Sequence, residues 1–286
     1  MALIAHGTDQ RMSTANAVYQ PARTAFDAAI LCLALAVPSA IALGLDIRTI
    51  NDVNVWGKPL KFQLSFALHW LTVACLLSML SRGVASATAS ATSLRWWLRI
   101  GAASAVVEVV YITLQAARGR PSHFNFSTPL ETVLYYGLMG GAAVLMMLAT
   151  IWVGLMLWRH AEPAQRHTGL WLGAVLGLVV GSIVTLLVTA PLAAGAIDGP
   201  GHWVGGVRSD ATGLPIVGWS TTGGDLRVPH FFGTHLLQLL PLVGWWADRS
   251  GRQAPQRWVW SALILGLMVV VATGWQPLLG RPFWMG

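Results

Sequence analysis

Seven stretches of the chain are continuously apolar, and polar residues return between them. They lie near 26–45, 60–81, 97–117, 132–158, 168–193, 228–247 and 257–276. Each is long enough to cross the roughly 30 Å hydrocarbon core of a bilayer, which takes about 20 helical residues. None shows the strict alternation of a barrel strand. The pattern predicts an all-α integral membrane protein with about seven transmembrane helices, in which 1–25 is a disordered cytoplasmic tail and 26–286 a single domain.

Composition supports a membrane protein. Of the 286 residues, 55% are hydrophobic and 10% are charged, whereas soluble domains carry about 25% charged residues. The fifteen tryptophans suit the aromatic belts at a membrane surface. Arginines scattered over the loops give the net charge of +7, which argues against a nucleic-acid footprint. Cys32 and Cys75 both lie in apolar segments and form no metal or redox motif.

Three of the predicted helices carry a polar stripe that starts at the same side of the membrane. Residues three or four apart share one face of a helix. The stripes comprise Lys58, Lys61, Ser65 and His69 on the second helix, Glu108, Tyr111, Gln115 and Arg118 on the third, and Arg227, His230, Thr234 and Gln238 on the sixth. Because ionisable groups inside a bilayer face a bundle interior or a wet cavity, the stripes predict a buried, cationic, histidine-containing pocket.

Helix rise places three polar side chains at a similar depth. At about 1.5 Å per residue, His69 and Glu108 lie about 13 Å below their helix ends, and His235 lies about 10 Å below its own. His123 belongs to the loop above this layer, and His230 lies at its mouth. The sequence therefore predicts that the three deep side chains form one layer.

The longest predicted loop joins the fifth and sixth helices. It spans 194–227 and contains nine glycines. Long loops in compact domains are often lids or binding loops, so we expect it to cover the pocket from the extracytoplasmic side. Ten lysines and arginines on the amino-terminal side against eight on the other favour a cytoplasmic amino terminus.

A ridge of small residues marks the fifth helix. It consists of Gly173, Gly177 and Gly181. Such ridges let two helices approach closely. The sequence leaves two uses open, which are packing inside the monomer and a homodimer interface.

Several segments together resemble a family of bacterial multi-pass membrane proteins that has no assigned activity. They are WGKPLKF at 56–62, QAARGRPSHFN at 115–125, GWS at 218–220 and GDLRVPHFFGTHLLQ at 224–238. The resemblance covers helices one to six and implies a bacterial inner-membrane location. It implies no ligand and no catalytic residue.

The preferred hypothesis for function is a membrane redox protein that holds b-type haem. His69 and His235 would be its axial ligands, and Arg118, Arg227 and Lys61 would meet the propionates. The side chains expected to handle a proton or a quinol are Glu108, Tyr111 and Gln238.

Two other hypotheses remain open. The first is an enzyme that uses zinc or another divalent metal on an anionic lipid or isoprenoid, although no compact ligand motif is present. Its candidate ligands are His69, Glu108, His235, His123 and His230. The second is a transporter, channel or receptor for a small anion, for which a passage lined by cations and histidines would suffice.

Overall fold

The protein is almost entirely helical. The computed structural model describes residues 2–284, with side chains for 20–84 and 87–284. The α-helices are α1 (Ala2–Leu45), α2 (Gly57–Leu80), α3 (Arg82–Ser86), α4 (Thr88–Ala117), α5 (Pro129–Val133), α6 (Gly141–Arg159), α7 (Gly169–Leu176), α8 (Ser182–Ala193), α9 (Arg227–Arg249) and α10 (Pro255–Leu278). Two π-helical stretches, Leu134–Gly140 and Gly177–Gly181, join α5 to α6 and α7 to α8 without a break, and a 3₁₀ turn at Gln165–His167 precedes α7.

Six helical segments are long and apolar enough to cross a membrane. They are Gln20–Leu45, Gly57–Leu80, Thr88–Ala117, Pro129–Arg159, Gly169–Ala193 and Pro255–Leu278. They match six of the seven predicted spans, and the chain is a multi-pass membrane protein. The predicted segment 228–247 forms α9, which is helical but too polar to join this set. The count of seven crossings therefore stays a prediction.

Helix α1 covers the amino-terminal segment. It begins at Ala2, inside the tail over 1–25 that the sequence predicts to be disordered. Ala25 is fully buried and belongs to the main apolar core, beside residues of α2 such as Leu77. Packing against α2 supports the helix around Ala25, and the expected disorder of the preceding residues stays a prediction.

The glycine ridge on the fifth predicted helix packs against α9 of the same chain. A β-carbon at Gly173 would collide with the backbone at Leu240 and Pro241, and one at Gly177 would lie 3.1 Å from the Leu237 carbonyl oxygen. Gly181 likewise faces Leu237. The close approach therefore serves packing inside the monomer, and the homodimer predicted through these three glycines has no free surface there.

An aspartate at the end of α9 fixes the start of α7. Both carboxylate oxygens of Asp248 accept hydrogen bonds, from the backbone N–H groups of Gly169 and Leu170, each at 2.8 Å. These donors belong to the first turn of α7, where no carbonyl within the helix can pair with them. The aspartate thus caps a helix from another part of the chain and sets α7 and α9 in register.

A cap loop, residues 194–226, lies over one end of the bundle. Its short strands β3 (Trp203–Val204) and β4 (Gly224–Asp225) pair antiparallel. A second hairpin, β1 (Thr49–Ile50) with β2 (Val53–Asn54), turns between α1 and α2. The two are linked, because the Asp210 N–H donates to the Asn51 carbonyl at 3.1 Å. The cap loop is thus tied to the bundle by its own hydrogen bonds.

Candidate ligand-binding pocket

Glu131 neutralises two of the arginines that the sequence places at the pocket mouth. It lies in the first turn of α5, and its side chain is only 3% exposed. One carboxylate oxygen accepts from Arg118 at 3.0 Å and from Arg120 at 3.1 Å, and the other accepts from Gln115 at 2.5 Å. Gln115 also donates to the Tyr111 hydroxyl at 3.1 Å. Two of the predicted site residues, Arg118 and Tyr111, thus belong to one buried hydrogen-bonded network.

Arg227 is held by two aspartates of the cap loop. Its guanidinium lies 3.0 Å from an oxygen of Asp210 and 2.7 Å from one of Asp225. His202 donates from Nε2 to the same Asp210 oxygen at 3.1 Å. His202 itself is buried. The cap loop thus brings its own counter-charges, Asp210 and Asp225, to the start of α9.

The two lysines differ from the arginines. No carboxylate pairs with Lys58 or Lys61 in the described part of the chain. Lys61 donates to the Val217 carbonyl of the cap loop at 3.4 Å. Lys58 has no such partner: its side chain is exposed at the start of α2, within electrostatic range of Arg227, Asp210 and Glu108. Among the lysines and arginines of the three predicted stripes, Lys58 is the one without a hydrogen bond or an ion pair in the described part of the chain.

Glu108 faces the same region from α4. The side chain is 4% exposed, and its Oε2 has no hydrogen-bond partner among the described residues. It lies within electrostatic range of Lys58, although the two form no ion pair. A buried carboxyl oxygen without a partner is rare, because desolvation without a hydrogen bond costs roughly 1–3 kcal/mol. A proton, a water molecule or a ligand could therefore stabilise the Glu108 carboxyl group.

Two histidines lie in the same polar region, and we call the region around Lys58, Glu108, His123 and His230 the capped pocket. His123, in the loop after α4, lies within electrostatic range of Lys58, His202 and His230. Burial, reinforced by the charge of Lys58, holds the pKa of His123 well below its usual range, so the ring is neutral at pH 7. His230 on α9 pairs through Nδ1 with Thr189 at 2.8 Å. Since that hydroxyl already donates to the Thr185 carbonyl, Nδ1 must be the donor, and Nε2 of His230 carries a lone pair.

His69 and His235 lie in different surroundings. Nε2 of His69 lies 3.1 Å from the hydroxyl oxygen of Thr150 on α6, and that hydroxyl donates to the Met146 carbonyl. Nε2 of His69 must therefore be the donor of this hydrogen bond. His235 instead pairs with Gln238 at 3.3 Å and lies edge-on to Phe231, with ring centroids 4.3 Å apart. Each histidine is thus engaged within its own part of the bundle.

His235 and Gln238 line a lateral opening between two helices. We call it the α2–α9 groove; its walls include Leu68, Thr72 and Cys75 of α2 and His235, Gln238 and Trp245 of α9. Its volume is about 600 Å³. The two helices touch only sparsely. The predicted catalytic residue Gln238 therefore faces this groove, whereas Glu108 does not line it.

The residues proposed for haem or a metal do not fit such a group in this arrangement. Nε2 of His69 carries the proton that it donates to Thr150, and two of the three predicted propionate partners, Arg118 and Arg227, are already paired with carboxylates. Across residues 2–284, no three histidine, cysteine, aspartate or glutamate side chains gather in a way that could hold a metal ion. The haem and zinc hypotheses therefore stay predictions without geometric support.

The His202–Asp210 pair makes the cap loop sensitive to acid. Burial lowers the pKa of His202 more than its hydrogen bond to Asp210 raises it, while that hydrogen bond and Arg227 outweigh burial and lower the pKa of Asp210. When folding lowers the pKa of a histidine, the unfolded chain binds a proton more readily than the folded protein does. The stability that the histidine contributes is therefore complete above the unfolded pKa of about 6.5 and is lost as the pH falls below it.

We therefore expect acid to reduce the stability that His202 provides. The difference in the free energy of unfolding between the wild type and His202→Gln, followed through their melting temperatures, should shrink as the pH falls from 7 toward 5. The change should be at most about 1.4 kcal/mol per pH unit. His167→Gln, at an exposed site outside the cap loop, is the control and should show a constant difference. Parallel curves for the two variants would contradict this expectation.

Sequence reasoning missed the carboxylates that balance the arginines. Glu131 did leave a signal, because Thr128 and Glu131 have the spacing of a capping box, and the Thr128 hydroxyl accepts from the Glu131 N–H at 3.2 Å. Asp225 lies two residues before Arg227, a spacing that permits a local pair. Asp210 left no signal, because only the path of the cap loop brings it to Arg227.

The fold and these contacts define a polytopic helical membrane protein with a capped polar pocket at one end and an apolar groove in its side. No family model matches the chain, and neither the curated proteins nor the solved structures contain a match. The function must therefore be argued from the site itself.

Proposed function

We propose that the protein binds a small anion, a carboxylate or a phosphate, in the capped pocket, and that it acts as a membrane transporter or receptor for it. The observation that carries this proposal is the state of Lys58. Arg118, Arg120 and Arg227 have carboxylate partners, whereas Lys58 has none and is exposed within electrostatic range of Glu108. An ammonium group in such a place is a binding group for an anion.

We expect Glu108 to take up a proton when the anion binds. With Glu108 ionised, the carboxylate balances the charge of Lys58 across the capped pocket. An anion that arrives beside Lys58 takes over this balance and repels the ionised Glu108, so a proton on Glu108 favours the complex. Anion binding should therefore be linked to proton uptake and should strengthen as the pH falls.

The surrounding histidines supply selectivity. Nε2 of His230 carries a lone pair, and His123 is neutral, so both rings offer polar contacts without a fixed charge. An anion that keeps one proton, such as a hydrogen phosphate, can donate to a lone pair while it accepts from Lys58. The pocket thus suits a protonated oxyanion better than a halide.

The location proposed for this activity is the bacterial inner membrane, with the amino terminus cytoplasmic and the cap loop outside. Helix α9 would be the seventh crossing. Its 23 residues span about 34 Å at the helical rise of 1.5 Å per residue. It packs against α7 and α10, which both belong to segments able to cross a membrane.

The test is the thermal stability of the purified protein in detergent with acetate, phosphate or sulfate at constant ionic strength. One of these anions should raise the melting temperature of the wild type, more at pH 6 than at pH 7.5. Lys58→Met should weaken its binding about 10- to 100-fold, as expected for a charged hydrogen bond worth about 1.5–3 kcal/mol. Glu108→Gln should bind with little pH dependence.

Arg281→Gln is the matched control, because Arg281 is an exposed cation near the end of α10. It should bind the anion as the wild type does. If Lys58→Met keeps the full stabilisation, or if no anion in the series stabilises the wild type, the proposal is wrong.

A further inference from the structure

The α2–α9 groove contains a pair of polar side chains at a depth where lipid tails offer no hydrogen-bond partner. Counted from Arg227 along α9, His235 lies about 12 Å and Gln238 about 17 Å from the helix start, close to the middle of a 30 Å hydrocarbon layer. This depth rests on the proposed crossing of the membrane by α9. His235 and Gln238 form the polar part of an otherwise largely apolar wall. Intramembrane polar groups are costly and are a functional-site hypothesis by default.

The two side chains can serve one oxygen atom. The Gln238 Oε1 is an acceptor, so Nδ1 of His235 donates to it, and Nε2 of His235 keeps a lone pair. The amide N–H groups of Gln238 donate no hydrogen bond among the described residues and are free to act as donors. A hydroxyl can therefore donate to His235 and accept from Gln238 at the same time.

The membrane depth limits the chemistry of the occupant. A charged or zwitterionic headgroup near the bilayer middle would lose its hydration, at a cost of several kcal/mol. The head must therefore be uncharged and only weakly polar. Phe231 lies edge-on to His235, with ring centroids 4.3 Å apart, so an aromatic ring adjoins the polar pair.

The rest of the groove suits a chain. From His235 to Trp245 it follows α9 for ten residues, about 15 Å, which is half the hydrocarbon thickness. Leu68, Thr72 and Cys75 line the opposite wall. The volume of about 600 Å³ falls in the range of roughly 300–1,000 Å³ that is usual for ligand sites.

We infer that the α2–α9 groove binds an isoprenoid quinol, with one ring hydroxyl between His235 and Gln238 and the tail running toward Trp245. This binding goes beyond the proposed anion site and uses none of its residues, so either can fail alone. No electron transfer is part of the inference.

The free cysteine in the groove allows a direct test. Cys75 is exposed and lines the groove, whereas Cys32 is buried. In the purified protein, the rate of Cys75 alkylation by N-ethylmaleimide should fall when decylubiquinol, a quinol with a ten-carbon tail, is added, and the protection should saturate. Gln238→Leu should weaken the protection about threefold to tenfold, as expected for one neutral hydrogen bond.

Groove filling provides the second arm. Thr72→Trp should abolish the protection, whereas Met268→Trp, on an α10 residue that is 62% exposed, should leave it unchanged. Alkylation of these variants without quinol gives the baseline and shows that the thiol stays reachable. Protection that does not saturate, or that Gln238→Leu leaves intact, would overturn the inference. Equal protection by decanol or decanoic acid would overturn the quinol assignment.

Discussion

Gly173→Ala is expected to destabilise the protein by about 2–3 kcal/mol, and Gly173→Val by more. The added β-carbon would collide with backbone atoms of Leu240 and Pro241 in α9, and backbone cannot rotate away as a side chain can. Helices α7 and α9 would have to separate, which is the usual effect of overpacking a close contact. The melting temperature in detergent and the elution profile of the purified variants measure this effect.

Gly141→Ala is the matched control for this substitution. Gly141 is also a helical glycine inside a membrane segment, but a β-carbon there would meet no atom within 4 Å. Alanine favours a helix by up to about 1 kcal/mol over glycine, so this variant should melt at or slightly above the wild-type temperature. Equal melting of Gly173→Ala and Gly141→Ala would refute the assigned packing.

Glu131→Gln is expected to destabilise the protein by about 2–4 kcal/mol. The substitution removes the carboxylate that Arg118, Arg120 and Gln115 share. Removal of one partner from a buried pair commonly costs 3–5 kcal/mol. The loss expected for Glu131→Gln is smaller than this range because both arginine side chains are 49% exposed and can turn toward water.

Two further variants separate charge balance from a general loss of packing. Glu162→Gln changes an exposed carboxylate and should leave the free energy of unfolding within about 0.5 kcal/mol of the wild-type value. Removal of both arginine charges in the Glu131→Gln background should restore part of the loss, because no uncompensated cation then remains. A Glu131→Gln protein that melts like the wild type would show that the arginines need no counter-charge.

The sequence was sufficient for the helices because the bilayer constrains them so strongly. Runs of about 20 apolar residues have few alternatives in a membrane, and the predicted segments 60–81 and 168–193 agree with α2 and with the stretch from α7 to α8 to within three residues at each end. Helical periodicity also placed Tyr111, Gln115 and Arg118 on one face, where Glu131 now joins them.

Depth along a helix was predictable, but direction was not. His69 and His235 were assigned to one layer from their distance below the helix ends. Periodicity relates a residue to its own helix and does not say which neighbour its face meets. Helix α2 packs mainly on α1 and α4, so His69 reaches Thr150 of α6, while His235 faces the α2–α9 groove. The layer therefore divides into two separate environments.

Charge balance was the other part of the site that the sequence did not reveal. The cationic mouth was predicted from the positions of its arginines alone. Its carboxylates come from α5 and the cap loop, and the loop path that brings Asp210 to Arg227 follows no helical period. Only after these pairs are counted does Lys58 stand apart.

The polar stripe of α9 bears on how the protein is assembled in the cell. A segment that carries Arg227, His230 and Gln238 gains little from lipid alone, because polar and ionisable side chains oppose insertion into the bilayer. Its polar side chains find partners on α8 and in the cap loop, and Asp248 finds them on α7, all of which precede α9 in the chain. If α9 is the proposed seventh crossing, α7 and α8 must be in place during synthesis before α9 docks on them, and a ribosome that stalls before α9 would leave the glycine face of α7 bare.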